Sequence, residues 1–302
     1  MQPTCGITIT THNRKADLER TFQSIARLEP APDEVLICAD GCTDGTAEFV
    51  QKNFPHYRLF IVHDSRGSIP NRDSMMRAAT SDLLLSLDDD SYPLEADAIG
   101  RIRTIFEKNR RLAVATFPQR SDEFPETLNQ RDFGPAHFVG TFTNSGSVIR
   151  RETFLKLEGY PVDFRHAYEE PDFALRCVAA GWEVRFETDV TVRHHYTGVQ
   201  RNEMRTHHFH SRNEQWSLWM RCPLLFAPAV SMFRLLRQFG YACHRGWSWV
   251  VREPIWWGRC LAGLPRCLAA RKAIPWRLYK NWLLLVRHPI FSESEWREKF
   301  SR

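Results

Sequence analysis

Leu83-Leu84-Leu85-Ser86-Leu87-Asp88-Asp89-Asp90-Ser91 is the stretch on which the reading of this chain turns. The apolar run is short and is bounded by Ser81-Asp82 and by Tyr92-Pro93, the pattern of a buried strand. It ends in three consecutive carboxylates, which repel one another and are costly to remove from water. Two readings stand side by side. The triplet is an acidic loop capping the next helix, or a divalent cation among the acids reverses the sign. Oxygen ligands at a strand's C-terminal edge suit Mg²⁺ or Mn²⁺, and these ions suit phosphate groups.

Working outward, short apolar runs alternate with amphipathic segments. Strands are expected at Ile7 to Thr11, Val35 to Cys38, Leu59 to Val62, Leu83 to Leu87 and Ala113 to Phe117. Between them, Leu18, Phe22, Ile25 and Ala26 recur at helical spacing, as do Phe49, Val50 and Phe54, then Pro70 to Ala79, then Ile99, Ile102, Ile105 and Phe106. This order predicts an α/β fold: a mainly parallel sheet with helices on both faces, binding its ligand at the C-terminal strand ends. Asp40 and the acid triplet both fall at such ends. Residues 119–143 lack periodicity and read as an irregular excursion over the site. After them come a strand at Ser147 to Ile149, helices at Arg151 to Leu157 and through Phe173 to Ala179, short strands at Val184 to Phe186 and Val190 to Val192, and then His194-His195.

Composition sets outer bounds. At 302 residues, 43% hydrophobic and 25% charged, the chain can bury one large core or a domain with an appendage. Its eight cysteines contain no CxxC pair, which favours free thiols in a reducing cytoplasm over a disulfide framework. The strand pattern begins almost at once, so no signal peptide is expected, and no apolar run reaches spanning length. The net charge of +5 hides an asymmetry: residues 220–302 carry 15 Lys+Arg against 4 Asp+Glu and seven of the ten tryptophans. We therefore expect a domain at 1–219 and a basic, Trp-rich helical extension at 220–302.

Six segments read together carry a resemblance: ITITTHNR at 7–14, DEVLICADGCTDGT at 33–46, RGSIPNRDSMMRAATSDLLLSLDDDS at 66–91, SGSVIRRETFLKLEGYP at 145–161, EEPDFALRCVAAGW at 169–182 and RHH at 193–195. Their order and spacing over about residues 5–215 resemble family 2 of the inverting glycosyltransferases, with the Rossmann-like GT-A fold. The resemblance implies glycosyl transfer from a nucleotide-diphospho-sugar with Mn²⁺ or Mg²⁺ as cofactor, and a place in polysaccharide biosynthesis.

It also implies roles. Thr10 and Thr11 match the end of the nucleotide pocket's first strand, and Asp40 the acid that takes the base N–H, though a turn-forming Asp before Gly41 is the plain alternative. Arg72 resembles the arginine beside the nucleotide phosphates, here within Asn71-Arg72-Asp73, a departure from the usual triplet. Asp88 and Asp90 match the D-x-D pair, Asp88 toward ribose or donor sugar and Asp90 as metal ligand. Asp89 is grouped with the donor contacts, although strand alternation turns it toward a neighbour or solvent. Glu170 aligns with the general base, with Asp172 as runner-up and Glu169 behind it. His194, rather than His195, is the candidate to complete the metal shell. His207, His208 and His210 lack a cysteine at zinc spacing, and Arg205 and Arg212 are candidates for phosphate contact.

The first-guess donor is a UDP- or dTDP-sugar and the acceptor a saccharide or lipid-linked glycan, with no nucleic acid partner. In the tail, arginines recur between aromatics, a pattern suited to the headgroup region of an anionic membrane or to packing on the domain. Cytoplasmic placement, peripheral on the inner membrane face, is the matching expectation. Two rivals remain: a nucleotidyltransferase, which would want a Gly-rich N-terminal loop that ITITTHNR lacks, and a non-catalytic sugar- or membrane-binding protein on the same fold.

Overall fold

In the computed structural model, which describes residues 2–196 and 202–300, the Leu83 run lies in the middle of an eight-stranded sheet. The elements in order are β1 (Cys5–Thr11), α1 (Lys15–Ile25), β2 (Val35–Asp40), α2 (Thr46–Asn53), β3 (Arg58–Val62), α3 (Ser68–Ala78), β4 (Leu83–Asp88), β5 (Ser91–Pro93), α4 (Ala98–Lys108), β6 (Leu112–Thr116), β7 (Gln119–Ser121) and β8 (His137–Phe138). They continue with β9 (Ser147–Arg150), α5 (Arg151–Lys156), α6 (Glu169–Ala179), β10 (Glu183–Phe186) and β11 (Val192–His194). The last expected strand thus forms two residues later than its apolar pattern suggested, and the 119–143 excursion contributes two short strands.

The main sheet runs β3-β2-β1-β4-β9-β6-β10-β8. Strands β1 to β4 are mutually parallel, β6 and β10 are parallel, and β9 enters antiparallel between β4 and β6. The chain leaves β1 first toward β2 and later toward β4, so the strand order reverses beside β1, where such sheets open a ligand crevice. Alternation along each strand feeds two cores. Leu83, Leu85 and Leu87, with Ile7, Ile9 and Ile37, face α1, α2 and α4. Leu84, Leu36 and Val114 face α3, α5 and α6 on the other side. Each of these side chains is fully buried, worth about 1.5–3 kcal/mol apiece.

A second sheet, β5-β11-β7, sits at the C-terminal edge of the first. The tail is helical: α7 (Glu203–Arg221), α8 (Ala227–Arg245), α9 (Trp247–Val250), α10 (Glu253–Ala269), α11 (Trp276–Leu285) and α12 (Glu293–Phe300). The boundary expected at 219/220 falls inside α7, and the tail's buried side chains join the core of the sheet. Trp282, Trp296 and Phe300 are buried in the same core as Phe138 and Phe173. Trp282 Nε1 donates to the Gly140 carbonyl (2.8 Å), and Ile290 pairs with Phe138 as a β-bridge. All eight cysteines are free thiols. Among the described residues, no helix is long and apolar enough to cross a membrane.

Candidate active site

Strand register assembles the site. Thr10 stands opposite Asp88 on one side and Cys38 on the other, and Thr11 stands opposite Ala39, so the ends of β1, β2 and β4 meet. The chain turns after Asp88 through Asp89 and Asp90 into β5, whose Ser91 pairs with His194 of β11. Two hydrogen-bonded ladders thereby bring together residues more than a hundred positions apart.

Asp88, Asp90 and His194 offer ligand atoms that all lie within 4.8 Å of one another. His194 Nε2 is 3.4 Å from Asp90 Oδ1 and 4.0 Å from Asp88 Oδ2. Its Nδ1 meets Gln119 Oε1 at 3.1 Å, and the Gln119 amide is fixed by donating to Thr143 and Ser145. That contact assigns the Nδ1 proton and turns the Nε2 lone pair toward the carboxylates, the ring setting that metal-binding histidines use. Asp90 is completely buried, and its Oδ1 has no hydrogen-bond partner. A buried carboxylate oxygen left in this state is costly, and a divalent cation satisfies it. The donor set, two carboxylates and an imidazole, fits Mn²⁺ or Mg²⁺. His195, just past the end of β11, meets Tyr92 Oη at 3.0 Å.

Arg14, just before α1, balances these acids. It reaches Asp89 at 2.8 Å and Asp90 Oδ2 at 2.7 Å. Asp89 is therefore not offered to a donor: it is buried against Arg14, and burial pushes its carboxyl up to about 8 despite that arginine. Burial would also raise Asp90, but without a cation a protonated His194, together with Arg14, holds it below the usual carboxylate range.

Asp40 is buried at the end of β2. It accepts from Ser65 Oγ (2.7 Å) and from the N–H groups of Arg66 (3.0 Å) and Gly67 (3.1 Å). Burial works against its charge, yet hydrogen bonds from Asn71, Ser65 and these amides hold its carboxyl low. Gly67 is required in this loop: its φ is +98°, and a Cβ would lie 2.3 Å from the Arg165 carbonyl.

Arg72, buried on α3, pairs with Asp88 and feels the charges of Glu169 and Glu170. It joins the acid–histidine cluster to the start of α6. There the three acids part ways. Glu170 is half-buried and accepts from the Asn144 N–H. Glu169 is buried and accepts from Asn144 Nδ2 (3.0 Å), while Tyr160 Oη donates to Asn144 Oδ1 (2.8 Å). Burial raises Glu169 well above the usual range, with the Glu170 charge adding to it. Burial also raises Glu170, against the opposing pull of Arg72 and the Asn144 N–H.

Asp172, the runner-up base, is not brought to the site. It is 0% exposed and accepts from Arg176 Nε (2.8 Å), Ser217 Oγ (2.9 Å) and Arg221 Nε (3.1 Å). Those arginines hold its carboxyl down to about 2 despite burial. An acid so committed cannot take a proton from a substrate near neutral pH.

The segment leading into α6 is bent. Arg165, Ala167 and Tyr168 all have positive φ, a strained run for residues with side chains. Asn213 of α7 stabilises it, donating to the carbonyls of Phe164, His166 and Ala167. Sequence reading missed Arg14, Gln119, Asn144, Tyr160 and Asn213. Arg14, Asn144's neighbour Ser145 and Tyr160 lie in or beside the quoted motifs, but nothing local marks their partners. Arg205 rests on Phe209, and Arg212 is buried against Phe164, away from the acids. His207 pairs with Glu253 (2.8 Å), and among the described residues no further metal-type cluster occurs.

A mainly parallel sheet carrying a D-x-D acid pair at its edge defines a GT-A glycosyltransferase. Residues 7–167, just over half the chain, match the family model of Glycosyl transferase family 2, and the chain belongs to that family. No curated protein matches it. Solved structures resemble it in fold. GalNAc-T7 with UDP, GalNAc and Mn²⁺ is 13% identical (TM-score 0.60), covering 74% of this chain and 49% of that one. The mannosyltransferase PcManGT from Pyrobaculum calidifontis with GDP-Man and Mn²⁺ is 16% identical (0.58; 95% and 86%). S. aureus TarS 1-349 with UDP-GlcNAc is 14% identical (0.59; 89% and 84%). The chain thus spans about half the length of the first and over four fifths of the others.

Proposed function

We propose that this glycosyltransferase is metal-dependent and inverting. It moves a sugar from a nucleotide diphosphate, UDP- or dTDP-linked, to a hydroxyl of a saccharide or lipid-linked acceptor. The observation that carries the reading is the bridge made by Arg72. This buried cation pairs with Asp88 of the acid–histidine cluster and feels the charges of Glu169 and of Glu170, the half-buried acid of its trio. The nucleotide-sugar and Mn²⁺ complexes of the similar structures support the donor class and the ion.

Asp88, Asp90 and His194 hold Mn²⁺ or Mg²⁺, which when bound offsets the charge gathering on the departing diphosphate. Thr10, Thr11 and Asp40 line the base end. Asp40 must share its oxygens between the base N–H and the Ser65–Gly67 loop, which couples base recognition to loop position. Arg72 steers phosphate oxygens with its planar donors. Glu170 takes the acceptor hydroxyl proton as the anomeric carbon is attacked from the opposite face. Burial raises its pKa above the ordinary carboxylate value, which strengthens it as a base. Glu169, better buried, keeps its proton and is a positioning residue through Asn144.

The tail exposes apolar side chains on several of its helices, within a strongly basic stretch. Leu225 (84%), Trp247 (77%), Leu261 (69%) and Leu236 (63%) are exposed, with Met232 and Phe233 beside Leu236, and Arg252 and Arg259 are exposed elsewhere in the tail. We read this surface as a peripheral contact with an anionic membrane, where the acceptor's lipid would reside.

The test is a panel of UDP-, dTDP- and GDP-sugars incubated with saccharide acceptors and Mn²⁺ and followed by NMR. Metal-dependent release of nucleoside diphosphate, with inversion at the anomeric carbon, is expected. Retention of configuration, or no turnover with any donor, would contradict the reading.

A further inference from the structure

A second cleft, of about 780 Å³, opens between the segment 157–165 and helices α7 and α10. None of Asp88, Asp90, Glu170 and His194 lines it. Seven basic side chains line it against two acids, Glu158 and Asp163. Three of the seven are committed: Arg176 and Arg221 to Asp172, and Lys272 to Glu158. Among the described residues, Arg66, Arg165, Arg212 and Arg266 form no ion pair.

Three of these four are held in place by neutral partners, and Arg266 is exposed. Arg212 is buried and lies 4.1 Å over the Trp216 ring, and its donors reach only the Asn213 side chain and the Phe164 carbonyl. Arg66 is steered by Asn71 and Ser74, and Arg165 by the Arg66 carbonyl. Burial, with Arg259 and Arg165 nearby, pulls Arg212 down to about 10. Like charges gathered in a partly desolvated cleft are unfavourable until an anion joins them.

We propose that this cleft binds a phosphate group at a site beside the donor site and away from its acid–histidine cluster. Guanidinium forks match phosphate oxygens, and several arginines lining one cleft match a group carrying more than one negative charge. The group comes from a free phosphate ester or from a lipid headgroup. Arg266 and the exposed Ile255 stand eleven residues apart on α10, about three turns along one side of the helix, so an apolar side chain continues the cleft's rim. This site stands whether or not the donor reading holds.

The experiment uses the full chain in EDTA, which keeps metal from the acid cluster. Inorganic phosphate is titrated by calorimetry, and vesicles of phosphatidylcholine with and without phosphatidate are tested by co-sedimentation. The variant is Arg165→Ala/Arg266→Ala, both exposed, with Lys280→Ala/Arg287→Ala as a control of equal charge loss, and Arg266→Glu repeats the test at one position. The cleft variants should lose affinity about tenfold or more for at least one probe, while the control retains it. Loss confined to inorganic phosphate identifies a free phosphate ester, and loss confined to phosphatidate vesicles identifies a headgroup. Wild-type protein that binds neither probe saturably, or equal losses in cleft and control variants, would overturn the proposal.

Discussion

Replacing Asp172 by asparagine separates a structural acid from a catalytic one. The wild-type carboxylate is fully buried among Ser217, Arg176 and Arg221, and its carboxyl sits near 2 instead of 3.8. A folded-state pKa lowered by roughly two units contributes about 2–3 kcal/mol near neutral pH. That contribution is present above pH ~4 and is lost as pH falls through about 2. Asparagine keeps the shape but leaves two arginines facing a neutral amide. Breaking a buried pair in this way costs about 3–5 kcal/mol. The lower end applies, because Arg176 keeps its bonds to the Leu157 and Gly159 carbonyls. Taking about 2 cal/mol/K per residue for the unfolding entropy, a loss of about 3 kcal/mol lowers Tm by roughly 5 °C. Thermal unfolding by circular dichroism reads this directly, and turnover measured well below Tm should stay within about threefold of wild type. An unchanged Tm with turnover down about a hundredfold would refute the reasoning and return Asp172 to the role of base.

The complementary variant is Glu170→Gln, which should keep donor affinity and Tm while turnover falls about 10²-fold or more. Because Glu170 acts ionised and its pKa is raised by burial, wild-type turnover should fall on the acid side through a pKa above the ordinary carboxylate value, and an acid limb at or below that value would contradict the assignment. Asp90→Ala should abolish Mn²⁺-dependent donor binding, read as loss of metal-dependent thermal stabilisation by a nucleotide sugar. Deleting the tail would strip Trp282, Trp296 and Phe300 from the core, so the membrane contact is tested by surface change. Met232→Ser/Phe233→Ser/Leu236→Ser should lower affinity for anionic vesicles about tenfold or more with Tm unchanged, whereas unaltered co-sedimentation would refute the contact.

The alternation of strands and amphipathic helices was legible because each element buries a face, and burial imposes a period of two or 3.6 on the sequence. The acid pair was legible because it ends an apolar run. Strand alternation implied that only one of His194 and His195 faces the acids, but not which; the pairing of His194 with Ser91 places it there. Partners supplied from elsewhere were not legible. Asp172 looks like its neighbours until α7 brings Ser217 and Arg221 against it, 45 and 49 residues on. Arg14 meets Asp90 across 76 positions. The antiparallel entry of β9 leaves no mark on its own four residues. The tail's charge suggested an appendage because composition reports surface, whereas Trp282 and Trp296 report the core they fill.

The most direct test is anomalous diffraction at the manganese edge from crystals soaked with Mn²⁺ and a nucleotide sugar. One strong peak among Asp88, Asp90 and His194, in contact with the diphosphate and with the sugar toward Glu170, is predicted. Ordered nucleotide elsewhere, with no manganese at that carboxylate–imidazole cluster, would contradict the account.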